Sequence, residues 1–332
     1  LSVMSSSPKI YTPDELRRIV SSSLLMETYN IAHGCNYMIV TASDLEPILP
    51  LSPLPNCPII ALWEDPGKVP NAAELANFDC WATPDELEHL LQAITAQPIA
   101  ATVLCQTLRQ TLKLGVEQAL MSESLAYSVL QSSTGFLQWL ETRPKPTLNQ
   151  DEGPAVLIQQ EDNALAITLN RPEQHNAYNA QMRDELWAAL QLASVDTSIN
   201  NVTLRGNGPS FCSGGDLSEF GAVDDSGIAH IVRTSRSPGL LLHQLGKRTS
   251  VELHGACIGA GIELPAFCGH IIATPDTSFK LPEVALGLIP GAGGTVSISR
   301  RIGRHATAKL ALGGESINAE DALRFGLIDA IR

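Results

Sequence analysis

His254-Gly-Ala-Cys-Ile-Gly-Ala-Gly-Ile-Glu-Leu264, with Leu281-Pro-Glu283 and Ile289-Pro-Gly-Ala-Gly-Gly-Thr295 after it, is the stretch on which the reading of this chain turns. A glycine-dense turn opens a helix, and Glu263 falls one turn into it. Glu283 stands in a Leu-Pro-Glu loop behind an apolar strand. Upstream, Phe211-Cys-Ser-Gly-Gly-Asp216 makes a second turn of the same kind. Small residues let the backbone approach a ligand closely, and amides at a helix start carry positive potential. Such donors suit an oxygen that becomes negative during a reaction, and two nearby carboxylates suit proton transfer. Chemistry on a carbonyl is the expectation.

Outward from this stretch, strand, glycine turn and helix follow one another from Val251 to Ala266. Val156-Leu-Ile, a turn at Glu161-Asp-Asn163, and Leu165-Ala-Ile-Thr-Leu169 read as a hairpin. Asn179 caps a helix with Met182, Leu186, Leu190 and Ala193 on its buried side. Val202 to Arg205 is a strand that leads into the Phe211 motif, and residues 219–245 read as a loop and a helix. Ile271 to Thr274 and Phe279 to Leu281 read as a strand pair ahead of Glu283. A closing helix is capped by Asn318 and stopped at Gly326. Repeated strand-turn-helix units make the fold class α/β.

The first half has a different texture. Residues 1–11 are polar and read as loose. Thr12-Pro-Asp-Glu-Leu16 and Thr83-Pro-Asp-Glu-Leu87 both carry the capping-box pattern of a helix start. Between them, Tyr37 to Ala42 and Cys57 to Trp63 are short apolar runs that fit buried strands, joined by a proline-rich connection from Pro47 to Pro58. Leu87, Leu90, Leu91 and Ile94 mark an amphipathic helix. One longer helical tract is expected from about Ala100 to Leu140, with Leu104, Leu108 and Leu112 on one stripe. Arg143-Pro-Lys-Pro-Thr147 breaks it, and the polar turn Asn149 to Pro154 is read as the boundary between a region 1–150 and a region 151–332.

Composition bounds the function. The 332 residues are 44% hydrophobic and 17% charged, which is globular. A net charge of −13 argues against a nucleic-acid surface, while a phosphorylated ligand can still be held by a few local donors. The seven cysteines form no Cys-x-x-Cys pair and sit mostly in apolar runs, as reduced core residues do. The histidines show no metal-ligand spacing, so no metal is expected. Gly291-Ala-Gly-Gly-Thr295 lacks the Lys of a P-loop and the full dinucleotide fingerprint, and there is no Gly-x-Ser-x-Gly elbow. No apolar run is long enough to span a bilayer. A cytoplasmic protein with no membrane or nucleic-acid partner is expected.

From about residue 154 onward the chain resembles the crotonase superfamily, the enoyl-CoA hydratase/isomerase fold. Five motifs carry the resemblance in order: Leu169-Asn-Arg-Pro-Glu-Gln-His-Asn-Ala177, Phe211 to Leu217, His254 to Leu264, Leu281 to Thr295, and Ala322-x-x-x-Gly-Leu-Ile-Asp329. The resemblance implies a spiral of strand-strand-helix turns, an acyl-CoA substrate with no cofactor beyond that coenzyme A, and a homo-oligomer, as a trimer or dimer of trimers. The family continues past Gly-Leu-Ile-Asp with helices that cover the acyl pocket, and residues 83–141 resemble that tail. The N-terminal region is therefore either a permuted tail placed before the core or an unrelated helical domain.

Carried over motif by motif, the amides of Gly215 and Ala260 hold the thioester oxygen, and Glu263 and Glu283 match the two catalytic glutamates of the hydratases. Ser213, Asp216, Leu217 and Ser218 are implied in substrate binding along the pantetheine channel, and Asn176 and Ala177 at the adenine end. Many hydratases carry a basic residue where Ser218 stands. Arg171 and Arg205 are candidates to replace it, although both read as solvated surface positions. The implied activity is enoyl-CoA hydration. The rivals are an isomerase, hydrolase or decarboxylase using one glutamate, and a catalytically silent acyl-CoA-binding protein.

Overall fold

The computed structural model describes residues 8–42, 50–65, 67–143, 153–222 and 225–332. Residues 149–152 of the expected boundary, the break after Arg143, part of the Pro47–Pro58 connection and residues 1–7 lie outside the described residues; Ile10 and Tyr11, expected to be loose, form a strand.

The N-terminal part is a parallel sheet of β1 (Ile10–Tyr11), β2 (Met38–Thr41), β3 (Ile59–Leu62) and β4 (Cys80–Ala82), in that order. Met38, Ile39, Val40, Ile59, Ile60 and Ala61 are all buried, so these strands are apolar on both faces, as parallel strands under helices must be. Both capping boxes form. Thr12 starts α1 (Pro13–Val20) with reciprocal bonds to Glu15, and at α3 (Pro84–Ala96) the Glu86 carboxylate accepts from the amide and hydroxyl of Thr83. A short α2 (Ser23–Glu27) lies between α1 and β2.

The single tract expected from Ala100 to Leu140 is instead three helices: α4 (Pro98–Thr111), α5 (Val116–Gln131) and α6 (Thr134–Thr142). Gly115 and Ser133 stand as N-caps at the breaks; glycine and serine favour such positions over a helix interior. Leu104 and Leu108 are buried as expected, but Leu112, at the end of α4, is exposed. Arg109 on α4 binds the buried Asp79 through two nitrogens, at 2.8 and 2.6 Å, which ties this helix to the start of β4.

Region 153–332 carries the main sheet. β5 (Val156–Glu161) and β6 (Ala164–Leu169) form the expected antiparallel hairpin. β7 (Asn201–Gly206), β8 (Thr249–Leu253), β10 (His270–Ala273) and β13 (Ala330–Ile331) extend it in parallel, in the order β13-β10-β8-β7-β6-β5. A smaller sheet sets β11 (Ser278–Lys280) between β9 (Ala256–Ile258) and β12 (Ile317–Asn318). The chain therefore leaves the large sheet and enters the small one between β8 and β9, and again between β10 and β11. Ile271–Thr274 and Phe279–Leu281 are consecutive strands of different sheets rather than a mutual pair, because the turn at Thr274 to Thr277 redirects the chain. At the first crossing, Gly255 has φ +57° and a Cβ there would meet the Pro209 carbonyl at 2.3 Å.

Asn179 caps α7 (Ala180–Val195), and Asn318 caps α12 (Ala319–Phe325), which stops at Gly326 in the left-handed conformation. The loop and helix expected over 219–245 include two helices, α8 (Ser226–Ser235) and α9 (Pro238–Leu245), because Ser237-Pro238 ends one and starts the next. A four-residue α10 (Ala260–Glu263) and the long α11 (Gly294–Gly313, kinked at Gly303) complete the core. Helices α3, α4 and α5 pack on α11, and α5 also packs on α8. No helix among the described residues is long and apolar enough to cross a membrane.

Candidate active site

The two glycine turns lie side by side. Phe211 donates to the His254 carbonyl at 2.9 Å and Cys212 to Ala256 at 3.2 Å, and Ile258 returns a bond to Cys212 at 3.0 Å. The strands can approach this closely because Gly261 has no side chain; a Cβ there would sit 2.2 Å from the Cys212 carbonyl oxygen. Gly215 and Ala260 each follow such a turn. Among the described residues neither amide has a protein acceptor, and both border one cavity of about 500 Å³. Ala260 is the first residue of α10, where an amide has no partner within its own helix.

Glu263 and Glu283 reach the same cavity from different elements. Glu263, on α10, is buried, and its Oε2 accepts from the amides of Ala292 at 2.8 Å and Gly294 at 2.9 Å. Burial pushes its carboxyl up to about 7, against the pull of those two donors. Glu283 follows β11, and its Oε2 is buried with no hydrogen-bond partner. Burial, and then the neighbouring Glu263 charge, push it well above the usual carboxylate range. Gly259 makes room for it: φ there is +49°, and a Cβ would lie 2.4 Å from Glu283 Oε1. Arg300 binds backbone carbonyls and Arg301 pairs with Asp329, so neither reaches these glutamates among the described residues.

The expected binding residues divide. Asp216 borders the cavity, but its carboxylate is occupied by Arg171 at 2.9 Å and by the amide and hydroxyl of Ser218. Arg171 is a correction: it is buried, not solvated, because the left-handed turn at His175 and Asn176 folds the chain back so that the guanidinium also donates to the Ala177 carbonyl. Arg205 is exposed and pairs with Glu252. Asn176 is fully buried, accepting from the Arg171 amide and donating to the carbonyls of Asn207 and Ser210. Asn176, Ala177, Ser213, Leu217 and Ser218 do not border the cavity; Ser213 bonds back to His175 and Gln174, and Leu217 is exposed. Among the described residues, no three His, Cys, Asp or Glu side chains are grouped as metal ligands would be.

Several groups at the cavity lie outside the five motifs. Glu123 on α5 is a third buried carboxylate. It accepts from the amides of Gly293 at 2.7 Å and Thr295 at 2.9 Å, and from the Thr295 hydroxyl at 2.6 Å. Tyr127, one turn further, lies beneath the Arg233 guanidinium, 4.8 Å from its ring centre. A Cβ at Gly291 would be 2.4 Å from the Tyr127 ring, and a Cβ at Gly287 only 2.5 Å from the Phe136 amide of α6. The helices before residue 143 therefore form one wall of the cavity. No local motif marks Glu123; only its place in an Ala119-Leu-x-x-Glu-Ser string distinguishes it.

Comparison with known proteins agrees with this arrangement. A family described as "Enoyl-CoA hydratase/isomerase" matches residues 159–332. The chain is 35% identical over 178 residues to a 2,3-dehydroadipyl-CoA hydratase of Escherichia coli (strain K12), covering 53% of this chain and 68% of that protein. It is 34% identical over 172 residues to a trans-2-decenoyl-[acyl-carrier-protein] isomerase of Streptococcus mutans, covering 50% and 65%. Among solved structures, an enoyl-CoA hydratase from Thermoplasma volcanium GSS1 superposes with a TM-score of 0.50 at 30% identity, covering 54% of this chain and 72% of that one. Motifs, α/β core and relatives agree: the chain belongs to the enoyl-CoA hydratase/isomerase family of the crotonase superfamily.

Proposed function

We propose that this protein is an enoyl-CoA hydratase, adding water across the 2,3-double bond of an acyl-CoA thioester. The observation that carries the reading is the meeting, in one cavity, of two amides and two buried carboxylates which, among the described residues, have no protein acceptor and no cationic partner respectively. The Gly215 and Ala260 amides hold the thioester oxygen. Glu263, the carboxyl nearer to ionisation at neutral pH, takes a proton from water as the water oxygen bonds to Cβ. The π electrons of the double bond move onto the thioester oxygen, where the two amides hold the enolate. Glu283, kept protonated by burial, then gives its proton to Cα. Glu263 ends neutral and Glu283 ionised, and proton exchange with water during product release restores both. The only coenzyme in this scheme is the substrate's own CoA.

Crotonyl-CoA hydration by Glu263→Gln and Glu283→Gln, measured separately, tests the scheme. Each variant is expected to fall by at least roughly 10²-fold, as when an acid or base is lost. An isomerase needs only one carboxylate to carry a proton between carbons, so near-normal turnover by either variant would refute the two-glutamate mechanism. For the wild type, kcat/KM is expected to rise with pH through about 7 as Glu263 ionises, and to fall again once Glu283 loses its proton.

The family likeness also leads us to propose a trimer or dimer of trimers. Met121, Leu125 and Val129 form an exposed apolar row on α5, beside Ile228 and Ile231 of α8, the kind of face a subunit contact covers. Helices 83–141 are proposed as the covering tail of the core, placed ahead of it in the chain.

A further inference from the structure

The amino end of α11 is buried, so its free amides must find acceptors. Four consecutive residues supply them alternately to two carboxylates. Ala292 and Gly294 donate to Glu263, while Gly293 and Thr295 donate to Glu123. Gly293 makes the alternation possible by adopting φ +109°. The Thr295 hydroxyl adds a third donor on Glu123. One carboxylate comes from the core, on α10, and the other from α5, outside the family-matched residues 159–332.

We propose that Glu123 is a positioning residue of the active site: by binding the Gly293 and Thr295 amides, it turns those of Ala292 and Gly294 onto Glu263. It acts through the 291–295 loop and does not touch the reacting carbons. This rests on the role proposed for Glu263 above. The geometry leaves the loop little freedom to compensate. A Cβ at Gly294 would fall 2.7 Å from Glu263 Cγ, and one at Gly291 on the Tyr127 ring, so the loop is held between α10 and α5. The titratable and charged groups facing the pair are Glu283 after β11, Tyr127 on α5, Arg233 on α8, and Tyr178 and Cys212 on the segments leading to Gly215.

In Glu123→Gln, one acceptor remains, but an NH2 group now faces the Thr295 amide, donor against donor. The loop shifts and Glu263 loses the donors that favour its anion, which raises its midpoint. Burial, and then the Glu263 charge, push Glu123 itself up to about 8, so the pair resists carrying two charges at once. A purely electrostatic role would move the midpoint down, so the direction of the shift is diagnostic.

The test is an infrared titration of the buried carboxyl C=O band in the full chain, with Glu263→Gln as the blank, alongside crotonyl-CoA kinetics. We expect the Glu263 midpoint to rise by roughly one pH unit in Glu123→Gln. kcat should fall roughly tenfold with KM within about twofold, since the substrate contacts remain. Glu123→Asp keeps the carboxyl group but is one carbon too short to span both amides. It should show the same upward shift, and it decides the matter if the Gln variant does not fold. An unchanged or lowered midpoint would overturn the proposal. If the wild type hydrates no enoyl-CoA, the hydratase reading falls while the titration still decides on Glu123. If hydration is normal and the midpoint does not move, Glu123 falls alone.

Discussion

Replacing Glu263 by Gln is expected to make the protein less active and more stable at once. Burial holds this carboxyl near 7 in the folded chain against an ordinary value of 4.5. The folded state therefore binds its proton more tightly than the unfolded state does, and stability is lost as pH rises from the unfolded value through the folded one. A rise of roughly 2.5 pH units corresponds to about 3 kcal/mol, all of it absent at acid pH and fully felt above about pH 8. Glutamine removes the charge but keeps an oxygen for the Ala292 and Gly294 amides. Urea unfolding near pH 8.5 should then show Glu263→Gln more stable than the wild type by about 2–3 kcal/mol, narrowing to under about 1 kcal/mol near pH 5. A variant that is less stable near pH 8.5, or whose gain is the same at both pH values, would refute the view that an uncompensated buried charge sits at this position.

Gly261→Ala places a methyl group 2.2 Å from the Cys212 carbonyl oxygen and so pushes the two amide turns apart. Hydration should drop by more than roughly tenfold with both glutamates intact, because misplaced donors no longer converge on one oxygen; steady-state kinetics with crotonyl-CoA checks this. Gly287→Ala tests the docking of the N-terminal helices, since φ is +78° and the new methyl group would meet the backbone of α6. It should cost about 2 kcal/mol or more in urea unfolding, and a cost under about 0.5 kcal/mol would mean that α6 is not seated there.

How much of the site was legible residue by residue depends on the distance over which each group acts. Gly215, Ala260, Glu263 and Glu283 lie in local motifs whose glycines announce close backbone approach, and the cavity gathers all four. Asn176 and Arg171 also lie in a motif, yet their side chains bind the chain's own backbone and Asp216, which no spacing along the sequence reveals. Glu123 is 140 residues ahead of Glu263, and the Ala119-Leu-x-x-Glu-Ser string around it does not tell which amides it will bind. Its partners are backbone amides, which every residue but proline possesses.

The amino-acid sequence alone determined the family, the α/β class and the helix starts, because turns, caps and hydrophobic periods act over a few residues. Only the tertiary structure decided that the single helical tract breaks into α4, α5 and α6, that β10 and β11 belong to different sheets, and that α5 supplies a third buried carboxylate to the cavity. These outcomes depend on which distant surfaces bury one another and which free amides need acceptors. That is a property of the packed molecule, set by contacts between segments that a linear reading keeps far apart.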